Sequence, residues 1–309
     1  MTPIPIAIIG FGKIAEDEHL PSIEANPRFR LAASSSRSGK GPEPAFKDWR
    51  ELIEQVEGLQ AAAITTPPKP RYEIARACLE AGLHVLLEKP PAATLTEIED
   101  LTCIAEAQQR TLFATWHARH NPAVEAAAAA LAGKRIDSMT IRWHEDVRKW
   151  HPGQRWIWEA GGFGVFDPGI NAFSIATKIF PGTLIVDQAE LCFPEGAQTP
   201  IAAEVKFASQ AAEGALTCSL DWRRSGGEEW AVEVRTADGR EVRLTDGGKR
   251  LAIDGEPRET PGAGEYADIY RRFVDLIDER RSDVDVRPLR LVADCLLVGN
   301  RRTVDPPPA

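Results

Sequence analysis

The sequence predicts an α/β protein with an N-terminal domain built on a parallel sheet, followed by an α+β domain with a large, mainly antiparallel, open-faced sheet. Apolar runs alternate with helix-like segments through the first 120 residues. Short alternating runs separated by Asp-Gly pairs fill much of the second half. A length of 309 residues suits two domains. We place them at residues 1–120 and 121–309 and expect the final helix, residues 287–298, to pack back on the first domain.

The first strand and the loop after it form a dinucleotide-binding pattern. The apolar run at residues 4–9 is followed by Gly-Phe-Gly-Lys-Ile-Ala, which fits Gly-x-Gly-x-x-Ala. Such glycines permit a tight turn and let a pyrophosphate approach the backbone at a helix N-terminus. The pattern predicts a Rossmann domain, although a glycine turn without function is the alternative. The candidate cofactor residues in this loop are Gly10, Gly12, Lys13 and Ile14.

The end of the second predicted strand bears on which cofactor is used. The strand at residues 29–34 ends in Ser-Ser-Arg, where NAD-selective sites usually place an acid for the ribose hydroxyl. Ser36 and Arg37 suit a 2′-phosphate instead. This favours NADP as the preferred cofactor, while use of NAD, with Arg37 as a solvated charge, stays open.

Strand and helix alternate onward to residue 114. Buried strands are predicted at residues 61–65, 84–87 and 112–114, with helices ending near residue 81 and spanning 94–108. Right-handed crossovers make such a sheet parallel, and ligands bind at the carboxyl ends of its strands. The further cofactor candidates at those ends are Thr65, Pro67, Glu88 and Lys89.

The second half opens with a tryptophan-rich segment. After a predicted helix at 122–131 and strand at 136–143, four of the eight tryptophans fall within residues 143–158. Aromatic rings beside carboxylate, imidazole and amide groups suit a pyranose, whose faces are apolar and whose hydroxyls need partners. A dimer interface or core is the alternative. Candidate sugar contacts are Glu145, Trp150, His151, Asn171, Trp222 and, from the end of the first domain, His117.

The remaining segment predicts a supporting sheet. Alternating runs lie at residues 189–193, 202–207, 215–222, 230–235, 241–244 and 251–253. Asp-Gly pairs between such runs indicate hairpins and therefore antiparallel strands. Helices are predicted near 266–277 and 287–298, and for Trp222 a role in sheet packing is the alternative.

Two motifs together resemble the glucose–fructose oxidoreductase / inositol dehydrogenase family of NAD(P)-dependent sugar and cyclitol oxidoreductases. These are Gly-x-Gly-x-x-Ala and the Glu-Lys-Pro at residues 88–90. The resemblance implies that Lys89 points at the reacting carbon. Residues 161–171 resemble the family's Gly-Gly-Gly-x-x-x-Asp-x-Gly-x-His, which implies a catalytic role for Asp167 beside Lys89. Asn171 departs from the motif, because most members have histidine there.

The block around His151 resembles the branch of bacterial L-arabinose and D-galactose 1-dehydrogenases. This implies oxidation of a pyranose at C1 to the lactone, with D-fucose as a further substrate and the sugar held between the domains. It also implies sugar contacts from Glu145, His151, Asp167 and Asn171. Oxidation at another carbon, or a non-catalytic NAD(P)-binding regulator, are the alternatives.

Composition excludes several other classes. There are 37 basic and 46 acidic residues, a net charge of −9, and no basic block, which disfavours nucleic acid and anionic membranes. The absence of a long apolar stretch or a signal-like start predicts a cytoplasmic protein. Five scattered cysteines and six histidines lack metal or disulfide spacing, so no metal is expected. The expected partner is a small aldose, and an exposed sheet favours a homodimer through the second domain.

Overall fold

A computed structural model describes residues 2–306 and divides them into two compact units. The first comprises residues 2–117 and 263–286, and the second comprises residues 118–262 and 287–306. The grouping differs from the predicted one, because a late segment returns to the first unit. Within residues 2–306, no helix is both long and apolar enough to span a membrane.

The first unit contains a six-stranded parallel sheet in the order β3-β2-β1-β4-β5-β6. The predicted strands are confirmed, and a short edge strand, β3, is added. The strands are β1 (Ile4–Ile9), β2 (Phe29–Ser35), β3 (Ala45–Phe46), β4 (Ala61–Ile64), β5 (His84–Leu87) and β6 (Leu112–Ala114). Both neighbours of β1 run parallel to it, so the loops after β1, β2, β4 and β5 emerge at one edge.

Helices are numbered in chain order through both units, and five belong to the first. They are α1 (Leu20–Ala25), α2 (Trp49–Gln55), α3 (Pro68–Glu80), α4 (Leu95–Ala107) and α8 (Glu265–Glu279). A π-helical turn, Ala15–His19, precedes α1. Thr94 and Glu97 form the capping box expected of their spacing. Asp48 caps α2. Sequence periodicity did not predict this helix.

The late segment that returns to the first unit is α8. Its apolar side contributes Ile269, Tyr270 and Phe273 to one buried cluster with Ile6 and Ile8 of β1. Full burial of such side chains contributes roughly 1.5–3 kcal/mol each. The helix predicted to pack back, α9 (Arg287–Val298), instead groups with the second unit.

The second unit contains a nine-stranded sheet in the order β14-β13-β12-β11-β7-β10-β9-β8-β15. Two neighbouring pairs, β7–β10 and β8–β15, are parallel and the others antiparallel, as the hairpin signals predicted for most of the sheet. The strands are β7 (Ile136–His144), β8 (Ile185–Pro194), β9 (Ala202–Ala208), β10 (Leu216–Asp221), β11 (Glu229–Thr236), β12 (Glu241–Thr245), β13 (Arg250–Ile253), β14 (Glu256–Arg258) and β15 (Asn300–Val304).

The helices of the second unit include one that carries a predicted catalytic residue. They are α5 (Pro122–Leu131), α6 (Val147–Trp150), α7 (Phe166–Ile179) and α9. Almost all of α7 is buried, and Asp167 lies in its first turn. A carboxylate there is favoured by the positive end of the helix dipole. Helix α9 packs against α7 and β8.

Candidate active site

The loop after β1 is a tight turn that packs closely against the loop after β4. Gly10 has a φ of +101°, and a Cβ there would lie 2.7 Å from the backbone nitrogen of Thr66. Its N–H and that of Phe11 both donate to the Ser35 carbonyl, and Thr65 Oγ1 donates to the Gly10 carbonyl at 2.8 Å. Glycine is therefore required at position 10, and Thr65 braces the turn.

A cavity of about 670 Å³ opens beside this loop. It is lined by Phe11, Gly12, Lys13, Glu16, Asp17, Leu20, Ser38, Lys40, Gly41 and Pro42. The loop after β2 forms a turn in which Ser36 Oγ donates to the Lys40 carbonyl at 2.7 Å. Arg37 is exposed beside it. Hydroxyls and basic side chains next to a bare glycine loop fit the phosphates of a dinucleotide.

The predicted cofactor residues differ in their surroundings. Lys13 is exposed and paired with Asp17, and Ile14 is also exposed. Pro67 caps the N-terminus of α3. Lys40 was not predicted, because it lies three residues beyond Arg37, where the predicted serine-arginine pattern ends.

Glu88, at the end of β5, is the centre of a buried hydrogen-bond network. Its Oε1 accepts from Tyr266 Oη at 2.7 Å and lies 3.1 Å from His19 Nε2. Its Oε2 accepts the Lys89 backbone N–H at 2.8 Å. Tyr270 Oη lies 2.8 Å from His19 Nδ1 and extends the network. The half-buried Lys89 thus begins from an anchored backbone.

The network shifts the pKa of Glu88 and of His117. Burial alone raises the pKa of Glu88, but the hydrogen bond and charge of His19, with His117 and Tyr266, lower that pKa well below its usual range. Burial lowers the pKa of His117, yet bonding and charge from Glu265, with the charge of Glu88, raise it overall. Both groups therefore favour their charged forms.

Two predicted contacts are placed differently from expectation. Glu88 was predicted to bind cofactor, but its carboxylate is 4% exposed and hydrogen-bonded inside the protein. His117 was predicted to bind substrate, but its Nδ1 lies 2.8 Å from Glu265 Oε2 and its ring stacks on Tyr266. Tyr266 and Glu265, which bond Glu88 and His117 respectively, lie in the first turn of α8, far along the chain, so local patterns could not indicate them.

In the second unit, Glu145 is held by two indoles. Trp222 Nε1 donates to Oε1 at 3.0 Å, and Trp230 Nε1 donates to Oε2 at 2.9 Å. The Glu145 residue is 4% exposed and follows β7 directly. The carboxylate is oriented by donors that cannot lose their protons in the physiological range. Sequence reasoning missed Trp230, which lies outside the tryptophan-rich segment.

His151 and Asp167 come together from different segments. His151 Nε2 lies 3.4 Å from Asp167 Oδ2, and the His151 ring lies against Trp222. Asn171 is one helical turn beyond Asp167 on α7, as spacing of i and i+4 requires. Its Oδ1 is buried and accepts no hydrogen bond from the part of the chain the structure describes. A buried acceptor of this kind is a candidate contact for a ligand hydroxyl.

The tryptophans differ sharply in exposure. Trp222 is 0% exposed and contacts Glu145 and the ring of His151, as the sheet-packing alternative requires, while its contact with a sugar stays a prediction. Trp150 is 45% exposed and packs against Trp230. Trp158 meets Trp222 edge to face. Of the predicted aromatic contacts, Trp150 alone retains an accessible face among the described residues.

The sequence predicts neither a metal site nor a disulfide. Within residues 2–306, no cluster of three or more His, Cys, Asp or Glu side chains suits a metal ion. All five cysteines are free thiols. Burial raises the pKa of Cys78 to about 12, so that thiol is a packing group and not a nucleophile.

The sequence is similar to known oxidoreductases. Residues 4–116 match the model of an oxidoreductase family with an NAD-binding Rossmann fold. The chain is 42% identical over 306 residues to a galactose 1-dehydrogenase of Pseudomonas fluorescens, with 99% of each chain covered.

Solved structures agree with the sequence comparison. A D-galactose-1-dehydrogenase from Rhizobium etli superposes with a TM-score of 0.93 at 46% identity, covering 99% of this chain and 98% of that one. An inositol dehydrogenase homologue from Azotobacter vinelandii, solved with NADH and myo-inositol, superposes with a TM-score of 0.79 at 19% identity over 96% and 95% of the two chains. The second likeness concerns the fold alone.

Proposed function

Because the chain belongs to the Gfo/Idh/MocA family of oxidoreductases, we propose that it is an aldose 1-dehydrogenase that oxidises C1 of a pyranose to the lactone. The observation that carries the proposal is the cluster of Glu145, His151, Asp167 and Asn171 beside tryptophan rings in the second unit. Carboxylate, imidazole and amide groups supply the partners that ring hydroxyls need, and the exposed Trp150 offers a face for the apolar side of the sugar.

The proposed substrates are L-arabinose and D-galactose, with D-fucose as a third. These pyranoses share their configuration at C2, C3 and C4, so one set of polar groups serves all three. They differ in the substituent on C5. Such a difference in a pocket is worth roughly 1–3 kcal/mol, so a preference of about 10- to 200-fold is expected.

The proposed cofactor is NADP, with NAD as a weaker alternative. A bound NADP would supply the acceptor for the hydride that leaves C1. Gly10 and Gly12 would leave space for its pyrophosphate, and Ser36, Arg37 and Lys40 would hold its 2′-phosphate. Arg37→Ala is expected to raise KM for NADP about tenfold and leave KM for NAD unchanged, by analogy with a lost charge-assisted bond. Arg30→Ala is the matched control, because Arg30 is also exposed but lies near the start of β2, away from the loop that holds Arg37.

Lys89 and Asp167 are the proposed proton-handling groups. The C1 hydroxyl must lose its proton as C1 is oxidised, and a neutral lysine amine can accept it. Lysine side chains are ordinarily protonated at neutral pH. Activity is therefore expected to rise toward alkaline pH. Glu145, His151 and Asn171 would orient the ring hydroxyls so that C1 is the carbon presented.

Steady-state kinetics with arabinose, galactose, fucose, xylose and glucose, each with NADP and NAD, test the function directly. A product that hydrolyses to an aldonate supports oxidation at C1, whereas a stable keto-sugar assigns the reaction to another carbon. Cofactor binding without turnover of any aldose would instead indicate a regulator. The homodimer through the second sheet also stays a prediction, and light scattering of the purified protein tests it.

A further inference from the structure

A buried arginine of the first unit binds the backbone on both sides of Lys89. Arg71 lies near the start of α3 and is 2% exposed. Its Nη1 donates to the carbonyl oxygens of Glu88 and Pro90, the residues that flank Lys89 in the chain. Its Nη2 donates to the carbonyl oxygen of Thr66, which follows β4. One guanidinium therefore joins the loop after β4 to the loop after β5.

These two loops have different tasks at the same edge of the sheet. Strands β4 and β5 are parallel neighbours with Ile64 opposite Leu87, so the loops that follow them leave the sheet side by side. In the loop after β4, Thr65 braces the glycine turn through its bond to the Gly10 carbonyl at 2.8 Å. The loop after β5 carries the Lys89 amine. Arg71 therefore connects the cofactor-binding edge to the proposed proton-handling group.

The backbone around Lys89 is held at three successive points. Arg71 binds the carbonyl before Lys89 and the carbonyl after it, and Glu88 Oε2 accepts the Lys89 N–H at 2.8 Å. A planar guanidinium can bind several acceptors at once because its donors point in fixed directions, whereas a lysine ammonium is a compact point charge. Hydrogen bonds from a charged donor are also stronger than neutral ones. Arginine is thus suited to hold two loops where lysine is not.

We propose that Arg71 is a positioning residue that holds the Lys89 backbone against the loop after β4 and so fixes where the Lys89 amine lies at the cofactor-binding edge. Arg71 exchanges no proton itself, because a guanidinium stays charged in proteins. The consequence for catalysis rests on the proposed function, in which Lys89 accepts a proton. The joining of the two loops does not rest on it.

The joining of the loops can be measured without turnover. Arg71→Lys keeps the charge but not the fork, and Arg71→Gln keeps a neutral donor. Amide hydrogen exchange followed by mass spectrometry should be about tenfold faster in a peptide covering residues 84–92 of either variant, because its bonds open locally more often. A peptide covering residues 4–9 should be unchanged. Arg76→Lys is the matched control, since Arg76 lies on the same helix and pairs with the exposed Glu80.

A double-mutant cycle then tests whether Arg71 acts through Lys89. Arg71→Lys alone is expected to lower kcat about 10²-fold, the cost of a misplacement of about 1 Å, with KM changed much less. Added to Lys89→Met, the same substitution should change the residual kcat by less than about twofold, because the group it positions is already gone. Damage to the fold in general would instead lower kcat by the same factor in both backgrounds.

Each outcome decides one part of the proposal. Unchanged exchange in residues 84–92 of both Arg71 variants overturns the joining of the loops. Native kcat in Arg71→Lys, or an equal fall of kcat in both backgrounds, overturns the positioning of Lys89. Loss of the fold in both variants, while Arg76→Lys folds, assigns Arg71 to stability alone and also overturns it. Faster exchange in a protein whose Lys89→Met variant keeps native turnover counts against the proposed function only.

Discussion

Glu88 in the first unit and Glu145 in the second are both 4% exposed, yet their surroundings differ in kind. Glu88 accepts hydrogen bonds from Tyr266 Oη and the Lys89 backbone N–H, and it lies beside His19 Nε2. The other ring nitrogen of His19 faces Tyr270 Oη. Glu145 is held by two indole N–H groups, and in the same unit the buried Asn171 Oδ1 accepts no hydrogen bond from the described residues. Equal burial therefore does not imply equal function.

The hydrogen-bond partners of a buried carboxylate indicate whether it stabilises the fold or serves a binding site. A network that satisfies its own polar atoms rigidifies the backbone that it binds, here the backbone N–H of Lys89. A cluster that leaves an oriented acceptor unsatisfied incurs a desolvation cost that a bound ligand can offset. The first arrangement is expected to control the free energy of unfolding, and the second to control sugar affinity.

The largest effect should come from the residue that the Glu88 network anchors. Lys89→Met removes the amine at similar length and is expected to lower kcat by about 10²–10⁴, the usual contribution of a general acid or base. Lys69→Met, at the exposed start of α3, should leave kcat unchanged. Near-native turnover by Lys89→Met would remove Lys89 from the mechanism.

Glu88→Gln tests the structural side of the comparison. It replaces a buried charged acceptor by an amide, and the partners on both oxygens cannot all be satisfied. We expect the free energy of unfolding to fall by about 3 kcal/mol, as when one partner of a buried ion pair is removed. Glu80→Gln breaks only an exposed i,i+4 pair with Arg76 and should cost less than about 0.5 kcal/mol. Equal urea midpoints for the two variants would contradict the assignment of Glu88.

Trp230→Phe tests the binding side. It keeps an aromatic ring but removes one of the two N–H donors to Glu145. Loss of one partner to a charged group costs roughly 1.5–3 kcal/mol, so KM for the aldose is expected to rise by about tenfold or more, with kcat changed less. Trp143→Phe is the control, because Trp143 packs on Trp230 without a described bond to Glu145. A similar KM for both variants would show that packing, and not the N–H, is what matters.

The smallest effect concerns His84, at the other end of β5 from Glu88. Its Nδ1 accepts the Thr111 backbone N–H at 3.1 Å, and burial, helped by the charge of Arg110, lowers its pKa to about 4. The histidine pKa in the unfolded chain is about 6.5. Between pH 4 and pH 6.5, His84 is therefore protonated in the unfolded chain and neutral in the folded protein. Stability should therefore fall as pH drops from 6.5 toward 4.

His84→Asn keeps an acceptor for Thr111 and removes the titration. As pH falls from 7 to 4, the native protein should lose about 1 kcal/mol of unfolding free energy that the variant keeps, so the difference between the two proteins should change by that amount. The expected change is smaller than the full pKa shift implies, because His84 is partly exposed to solvent. Urea unfolding at a series of pH values measures this. A difference between the two proteins that does not change with pH would contradict the assigned shift.

The sequence by itself determined much of the framework of both sheets. Apolar runs that end in glycine, serine, threonine or Glu-Lys-Pro predicted the strands of the first sheet, because burial on both faces requires continuous apolar residues. Asp-Gly pairs predicted the antiparallel strands of the second. Asp167 and Asn171 were singled out by resemblance to a family motif, and the structure places them one turn apart on α7, a helix that the sequence did not predict.

Only the tertiary structure decided which side chains meet. Tyr266 bonds Glu88 across 178 positions, and Trp230 bonds Glu145 across 85. The return of α8 to the first unit and the position of β11 beside β7 create these contacts. The physical reason is that periodicity records which face of an element is buried, whereas the partner of a buried polar atom is set by how distant elements pack.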